Sequence, residues 1–261
     1  MFKSRNEYLN ILDEFSSQFE NDNFLLWDVN WWPVIKIHVA FKLHQLMTID
    51  SHPVLANPKS LRIVLKRYSI KSRLIARMRR KFDKREAFKV AVFTSGRNTT
   101  TKFIDGTLIN QFTYPFLTYF DKEKIDYKVI NTVNNPVTAI GRIIYQNRVV
   151  DQYNNHFDFQ KQIKRIESFL TSRLGSALPD TYQSISKTII EHQIDYLSYV
   201  DFLKKNEFKH ILFYCYYGEN ISPLLRAANN FNISTIEYQH SLVSEDHFAY
   251  TRWNAKSLNY R

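Results

Sequence analysis

The sequence predicts an α/β protein: a Rossmann-like parallel sheet flanked by helices, preceded by a helical amino-terminal region. Three observations carry that expectation. From Phe88 onward, short apolar or β-branched runs alternate with longer segments at helical spacing, the order that builds parallel sheets. His210–Tyr216 is a continuous apolar and aromatic run, as in a strand buried on both faces. A helical segment and a second β-branched run, Ile233–Tyr238, follow directly.

Each element has its own signal. Met1–Glu20 sets Tyr8, Leu9, Leu12, Phe15 and Phe19 at helical spacing. Phe24–Trp32 is dense in aromatics, and Pro33 opens a second helix through Val34, Ile37, Phe41 and Met47. Ser51–Lys59 holds Pro53 and Pro58 and reads as a loop. Phe88–Thr94 reads as the first strand, ending in the polar turn Ser95–Thr101. A helix is expected around Tyr114–Phe120, and a second strand over Tyr127–Val133, ended by Asn134, Asn135 and Pro136. Phe157–Leu174 and Ser184–Lys205 are amphipathic. The first carries Phe159, Ile163, Ile166 and Leu170, the second Ile185 and Ile189. Gly175 marks a stop and Pro179-Asp180 a turn. Ser222 suits an N-cap with Pro223 behind it; Leu224, Leu225, Ala228 and Phe231 keep helical spacing until Asn232. The expected organisation is a helical, aromatic-rich region over 1–58, a basic segment over 59–86 and the α/β domain over 87–261.

Composition removes several classes. The 261 residues include only five glycines, and neither GxGxxG nor GxxxxGK[ST] occurs, so a dinucleotide fingerprint or P-loop has no support. The single cysteine, Cys215, rules out an intrachain disulfide framework or cysteine-based zinc site. Within an apolar strand run it reads as a small buried hydrophobe rather than a nucleophile. No apolar run approaches the ~18 residues of a membrane span, and the first 15 residues are too charged for a signal peptide. A cytoplasmic protein, peripheral at the inner membrane face or not, is the expectation.

The net charge of +11 is local. Lys59–Arg85 holds twelve Lys or Arg and one acidic residue, Asp83, so this stretch carries the whole excess. Leu61, Leu65, Tyr68, Ile75, Met78 and Phe82 recur near helical spacing, with cations largely on other faces. Three readings stand: a solvated linker, contact of Arg73, Arg77, Arg79, Arg80 and Lys81 with an anionic membrane or other polyanion, and nucleic-acid binding. No nucleic-acid signature supports the last.

Proton-transfer chemistry gathers behind Ile233–Tyr238, at Gln239, His240, Ser241, Glu245, Asp246 and His247. Loops at the carboxyl ends of parallel strands are where ligands bind. Imidazole titrates close to working pH, so His240 and His247 suit a general base; Glu245 and Asp246 could orient one imidazole or serve as base themselves. His240 could instead hydrogen-bond the backbone and shape the turn. Zinc held by His240, His247 and Glu245 is disfavoured because nothing fixes both histidines on one face, and a serine triad lacks the GxSxG context. Ser95, Arg97 and Asn98, behind the first strand, could meet a sugar or phosphate. Trp27, Trp31 and Trp32 suit core packing, sugar stacking or a membrane interface.

The same stretch resembles a family. Ala227-Ala228, Ile233, Thr235, Glu237, Gln239-His240, Ser244, His247 and Tyr250 match a segment of bacterial GT-B-type glycosyltransferases of capsule and lipopolysaccharide assembly. Ser241 stands where that family has glycine. Asp28–Lys36 looks like the family's entry segment. The resemblance implies one Rossmann-like half of a two-domain enzyme, the amino-terminal half, which takes a glycan or lipid-linked glycan acceptor. His240, His247 and Glu245 would then be catalytic, and Gln239, Ser241, Ser95, Arg97 and Asn98 substrate-binding. It implies no metal and no cofactor beyond a nucleotide sugar as co-substrate, bound by a donor domain for which 261 residues leave no room. A truncated product, inactive alone, is one expectation. A non-enzymatic module that binds membranes or polyanions is the other.

Overall fold

In a computed structural model of the chain, the structure describes residues 5–48, 86–94, 100–102, 108–110, 112–131, 136–175, 178, 180–215 and 221–238. The described elements, in order, are α1 (Arg5–Phe19), β1 (Leu25–Leu26), β2 (Val29–Asn30), α2 (Trp32–Thr48), β3 (Glu86–Thr94), β4 (Thr100–Lys102), β5 (Leu108–Asn110), α3 (Tyr114–Lys122), β6 (Tyr127–Asn131), α4 (Pro136–Asn154), α5 (Phe157–Leu174), α6 (Thr181–Lys205), β7 (Asn206–Phe213), α7 (Ile221–Asn230) and β8 (Ser234–Glu237). They form two compact units that interleave along the chain. The first draws on described residues of Met1–Ala56 and Asn147–Glu191, the second on those of Asn57–Gln146 and His192–Leu242.

The first unit is helical around an aromatic core. Tyr8, Leu12, Phe15 and Phe19 of α1 are buried with Trp32, Ile35, Val39 and Leu43 of α2 and Phe159, Ile163, Ile166 and Leu170 of α5. The spacing in α1 and α5 explains why these residues face inward together. Trp31 and Trp32 are fully buried, which resolves them as core. The Trp31 indole donates to the Leu26 carbonyl at 2.9 Å. Between β1 and β2, Trp27 and Asp28 both take positive φ (53° and 59°), the two-residue turn geometry that matches the twist of a hairpin.

The second unit holds a four-stranded, all-parallel sheet in the order β6-β3-β7-β8. Strand alternation sorts its residues by face. Ala91, Phe93, Ile211 and Phe213 pack with Tyr199, Phe202 and Leu203 of α6 and Ile221, Leu224, Ala227 and Ala228 of α7. Val90, Val92 and Leu212 face the other way, toward Phe116, Leu117 and Phe120 of α3. The α/β class with a parallel sheet is therefore as the sequence predicts.

Several boundaries differ, each for a local reason. Helix α4 is absent from the sequence reading, which took Pro136 as the end of a strand; proline is instead well suited to a first helical turn. Strand β7 runs from Asn206 to Phe213, not from His210 to Tyr216. Cys215 thus lies beyond the strand, partly exposed and at φ 63°, and not in a buried strand run. Helix α7 begins at Ile221, one residue before the expected cap.

Within the second unit, α4 meets α6 at Gly141. A Cβ built there would lie 1.5 Å from Ser198 Oγ and 2.5 Å from Ser198 Cβ. The Oγ can rotate, although it donates to the Ile194 carbonyl at 2.6 Å; the Cβ moves only with the helix. Flanking contacts hold the pair close: Arg142 Nε lies 3.9 Å from Asp195, and Tyr145 donates to the Asp201 carboxylate. Gly141→Ala gains about 1 kcal/mol of helix propensity but overpacks this contact, at about 1–3 kcal/mol. A lower melting temperature is expected, restored in part by Ser198→Gly in the double variant. A Gly141→Ala protein that melts above the wild type would contradict the contact.

Candidate functional site at the carboxyl edge of the sheet

The candidate residues named for chemistry all lie outside the described residues: Gln239, His240, Ser241, Glu245 and His247; Ser95, Arg97 and Asn98; and Arg73, Arg77, Arg79, Arg80 and Lys81. The described strands that precede the first two groups do have a common placement. β3 ends at Thr94 and β8 at Glu237, and because the sheet is parallel both end at its carboxyl edge. From β3 the chain passes to β6 on one side and later to β7 on the other. That reversal is a topological switch point, the place where open α/β sheets hold ligands.

Register defines what this edge presents on the α3 face. One row across the sheet is apolar: Val129, Val92, Leu212 and Ile236. Its centre is buried, while Val129 and Ile236 on the outer strands are 45% and 48% exposed. The next row toward the carboxyl end changes character. Asn131 pairs with Thr94, and the same alternation continues into Tyr214 and Tyr238 just past β7 and β8. Their ring centroids are 5.8 Å apart, and Tyr238 N–H donates to the Phe213 carbonyl at 2.9 Å, extending the ladder. The edge is thus a row of uncharged polar side chains above an apolar one.

Two phenylalanines pack on the tyrosines. Phe112 stacks on Tyr214 at 6.2 Å and 29°, and Phe116 meets Tyr238 at 5.0 Å. Asn110 positions them: its Oδ1 accepts from the backbone N–H groups of Phe112 (3.1 Å) and Thr113 (3.2 Å) at the entry to α3. Burial pushes the Tyr238 phenol well above its usual range, with the Tyr214 ring adding to the shift. Tyr214 is also raised, by burial first and then Cys215. Both therefore keep their protons at neutral pH and act as hydroxyls, not as bases. The Tyr238 hydroxyl is buried with no hydrogen-bond partner.

Behind the edge, α7 is tied to α6 by a polar cluster. His192 Nε2 lies 3.0 Å from Ser222 Oγ in the first turn of α7. Arg226 stacks 3.7 Å over the Tyr196 ring and donates to Gln193 Oε1 at 2.7 Å. Asn230 donates to the Tyr196 hydroxyl at 2.6 Å. Burial, with help from Arg226, lowers the His192 pKa to about 3. In the first unit, His38 sits between Ser184 Oγ (2.9 Å) and Thr188 Oγ1 (3.1 Å), and burial, then Lys42, lowers its pKa to about 4.

These two neutral histidines set an acid limit. Their folded values lie below the unfolded value of 6.5, so as pH falls through 6.5 the unfolded chain takes up protons that the native chain refuses. Native stability is full above about pH 6.5 and declines from there toward pH 4, by at most about 1.4 kcal/mol per pH unit for each group. Urea melts at pH 7, 5.5 and 4.5 should show the decline, with a shallower slope in His38→Asn. An identical slope in that variant would remove His38 from the account.

Tyr214 and Tyr238 escaped the sequence reading because aromatics in apolar runs read as strand. The available signal was positional: each is the first residue beyond a strand, and the two strands are neighbours. Among the described residues, no three His, Cys, Asp or Glu side chains gather as a metal site requires, and no helix is long and apolar enough to cross a membrane. Compared with protein-family models, curated proteins and solved structures, the chain has no match.

Proposed function

We propose that this chain is the acceptor-side, Rossmann-like half of a GT-B-type glycosyltransferase of surface-polysaccharide synthesis. One observation carries the reading: the Gln239-His240 pair comes one residue after the end of β8, a strand of an all-parallel sheet whose carboxyl edge includes a switch point. The segment that carries the resemblance, Ala227–Tyr250, begins within α7 and includes β8.

On this reading, His240 takes the proton of the acceptor hydroxyl as its oxygen attacks the anomeric carbon of the donor sugar. The bond from that carbon to the nucleoside diphosphate breaks, and the diphosphate departs with the electron pair. Glu245 and His247 orient or assist the base. Gln239, Ser241, Ser95, Arg97 and Asn98 contact the sugars and phosphates, and the basic segment around Arg73–Lys81 holds the enzyme to an anionic membrane bearing a lipid-linked acceptor.

The test is transfer of labelled sugar from a panel of nucleotide sugars to free and lipid-linked oligosaccharides, using the chain joined to a nucleotide-sugar-binding domain. Nucleotide-sugar-dependent labelling of an acceptor is the expected result. No labelling with any pair, together with salt-sensitive binding to anionic vesicles, would favour a non-enzymatic surface-binding module instead.

A further inference from the structure

We propose that the outward face of α4 pairs, in parallel, with the same face of a second copy of this chain. The inference concerns assembly and does not depend on the transferase reading.

Spacing defines the face. α4 is one unbroken helix over Pro136–Asn154. Thr138, Gly141 and Val149 lie on its inward side and are buried. Turned away from them, Ile140, Ile143, Asn147 and Val150 follow at steps of three, four and three, the seam spacing of helices that pair side by side. Ile143 and Asn147 are exposed, Ile140 and Val150 half-buried, and Ile144 beside them is exposed too. A single exposed isoleucine is ordinary. A second apolar stripe, on a helix whose inward side is already packed, marks an interaction surface.

Asn147 selects the occupant and its direction. An apolar groove on another protein would leave its carboxamide without partners at the centre of the contact, which is costly. In a parallel pair related by a twofold axis along the helices, each seam residue meets its own copy. Asn147 then faces Asn147 of the partner subunit, and each carboxamide offers a donor and an acceptor to the other. An antiparallel pair centred on the stripe would set Asn147 against the partner subunit's Ile143 instead. The flanks agree with the parallel choice. Parallel seams bring Gln146 beside the residue five positions further along the other helix, the partner's Asp151. An amide N–H thus meets a carboxylate, twice by symmetry, and no like charges oppose each other across the seam.

The seam is shorter than the three or four heptads of a free coiled coil, so a reversible dimer with a Kd of about 10–100 µM is expected. Sedimentation velocity of the full chain at about 5–300 µM, spanning that range, reads it. Ile143→Asp sets two carboxylates face to face and should weaken the dimer at least about tenfold. The side chain is exposed, so the melting temperature should stay unchanged. In a Cys215→Ser background, Asn147→Cys should form an intermolecular disulfide under mild oxidation, because parallel pairing brings the two positions within bonding reach. Ser168→Cys, on the exposed side of α5, should not. A chain that remains monomeric throughout overturns the inference and leaves the stripe to a different protein. A dimer that is indifferent to Ile143→Asp, or one in which Asn147→Cys does not crosslink, also overturns it.

Discussion

On the transferase reading, replacing His240 by alanine should lower sugar transfer about 100- to 10,000-fold, the usual contribution of a positioned general base. The comparison that decides its role is with His240→Asn. Asparagine keeps a hydrogen-bonding side chain of similar reach but cannot take a proton at neutral pH. If His240 serves only to shape the turn after β8, asparagine should rescue most of the rate. If it is the base, asparagine should be as poor as alanine, and the acid limb of the pH–rate profile, near the imidazole value of about 6.5, should vanish in both variants. Transfer that is undiminished in His240→Ala would remove this residue from the mechanism and leave His247, Glu245 and Asp246 as candidate bases.

Trp32→Ala should cost the first unit about 3–5 kcal/mol, the range for truncating a large buried aromatic. Trp32 is 1% exposed. It stacks on Phe24 at 5.7 Å and 17° and meets Phe15 at 5.2 Å. Phe15 in turn touches Phe19 and Phe169. Alanine would leave a cavity bordered by Phe15 of α1 and by Phe24 just before β1, which repacking fills only in part. The indole N–H of Trp32 has no hydrogen-bond partner, so Trp32→Phe sheds an unsatisfied donor and should cost far less. Urea denaturation followed by far-ultraviolet circular dichroism, with hydrogen exchange on α1 and α2 amides, would measure both. Equal losses for alanine and phenylalanine would mean that polarity, not volume, sets the cost.

What could be read from the residues follows from how each side chain meets its surroundings. In α1 and α5 a single stripe is apolar and the remainder polar, so Phe15, Phe19, Ile163 and Ile166 could be assigned to a core in advance, and they are buried. In α4 the stripe is blurred. Ile143 and Ile144 are 44% and 41% exposed, while Gly141, with no side chain at all, is the residue that packs against Ser198 of α6. The apolar run through Tyr214 and Cys215 hides a change of direction, because a left-handed residue is marked in sequence only when it is glycine or asparagine. At Asn232, also at positive φ (53°), the helix stop was legible for that reason. The candidate site divides similarly. Imidazoles and carboxylates announce themselves by chemistry, whereas Thr94, Asn131 and the two tyrosines matter through register, which no local pattern encodes.

The pairing of β3 with β7 also has a consequence for biosynthesis. Glu86 lies opposite Asn206, and at the usual ribosomal pace the nascent β3 waits about 6–24 s for the roughly 120 intervening residues to be made. Throughout that interval Val90–Phe93 emerges without its central neighbour, a sticky ribbon in a crowded cell. Chaperone demand during translation, and heavy inclusion-body formation when synthesis outpaces that supply, should follow from the strand order alone.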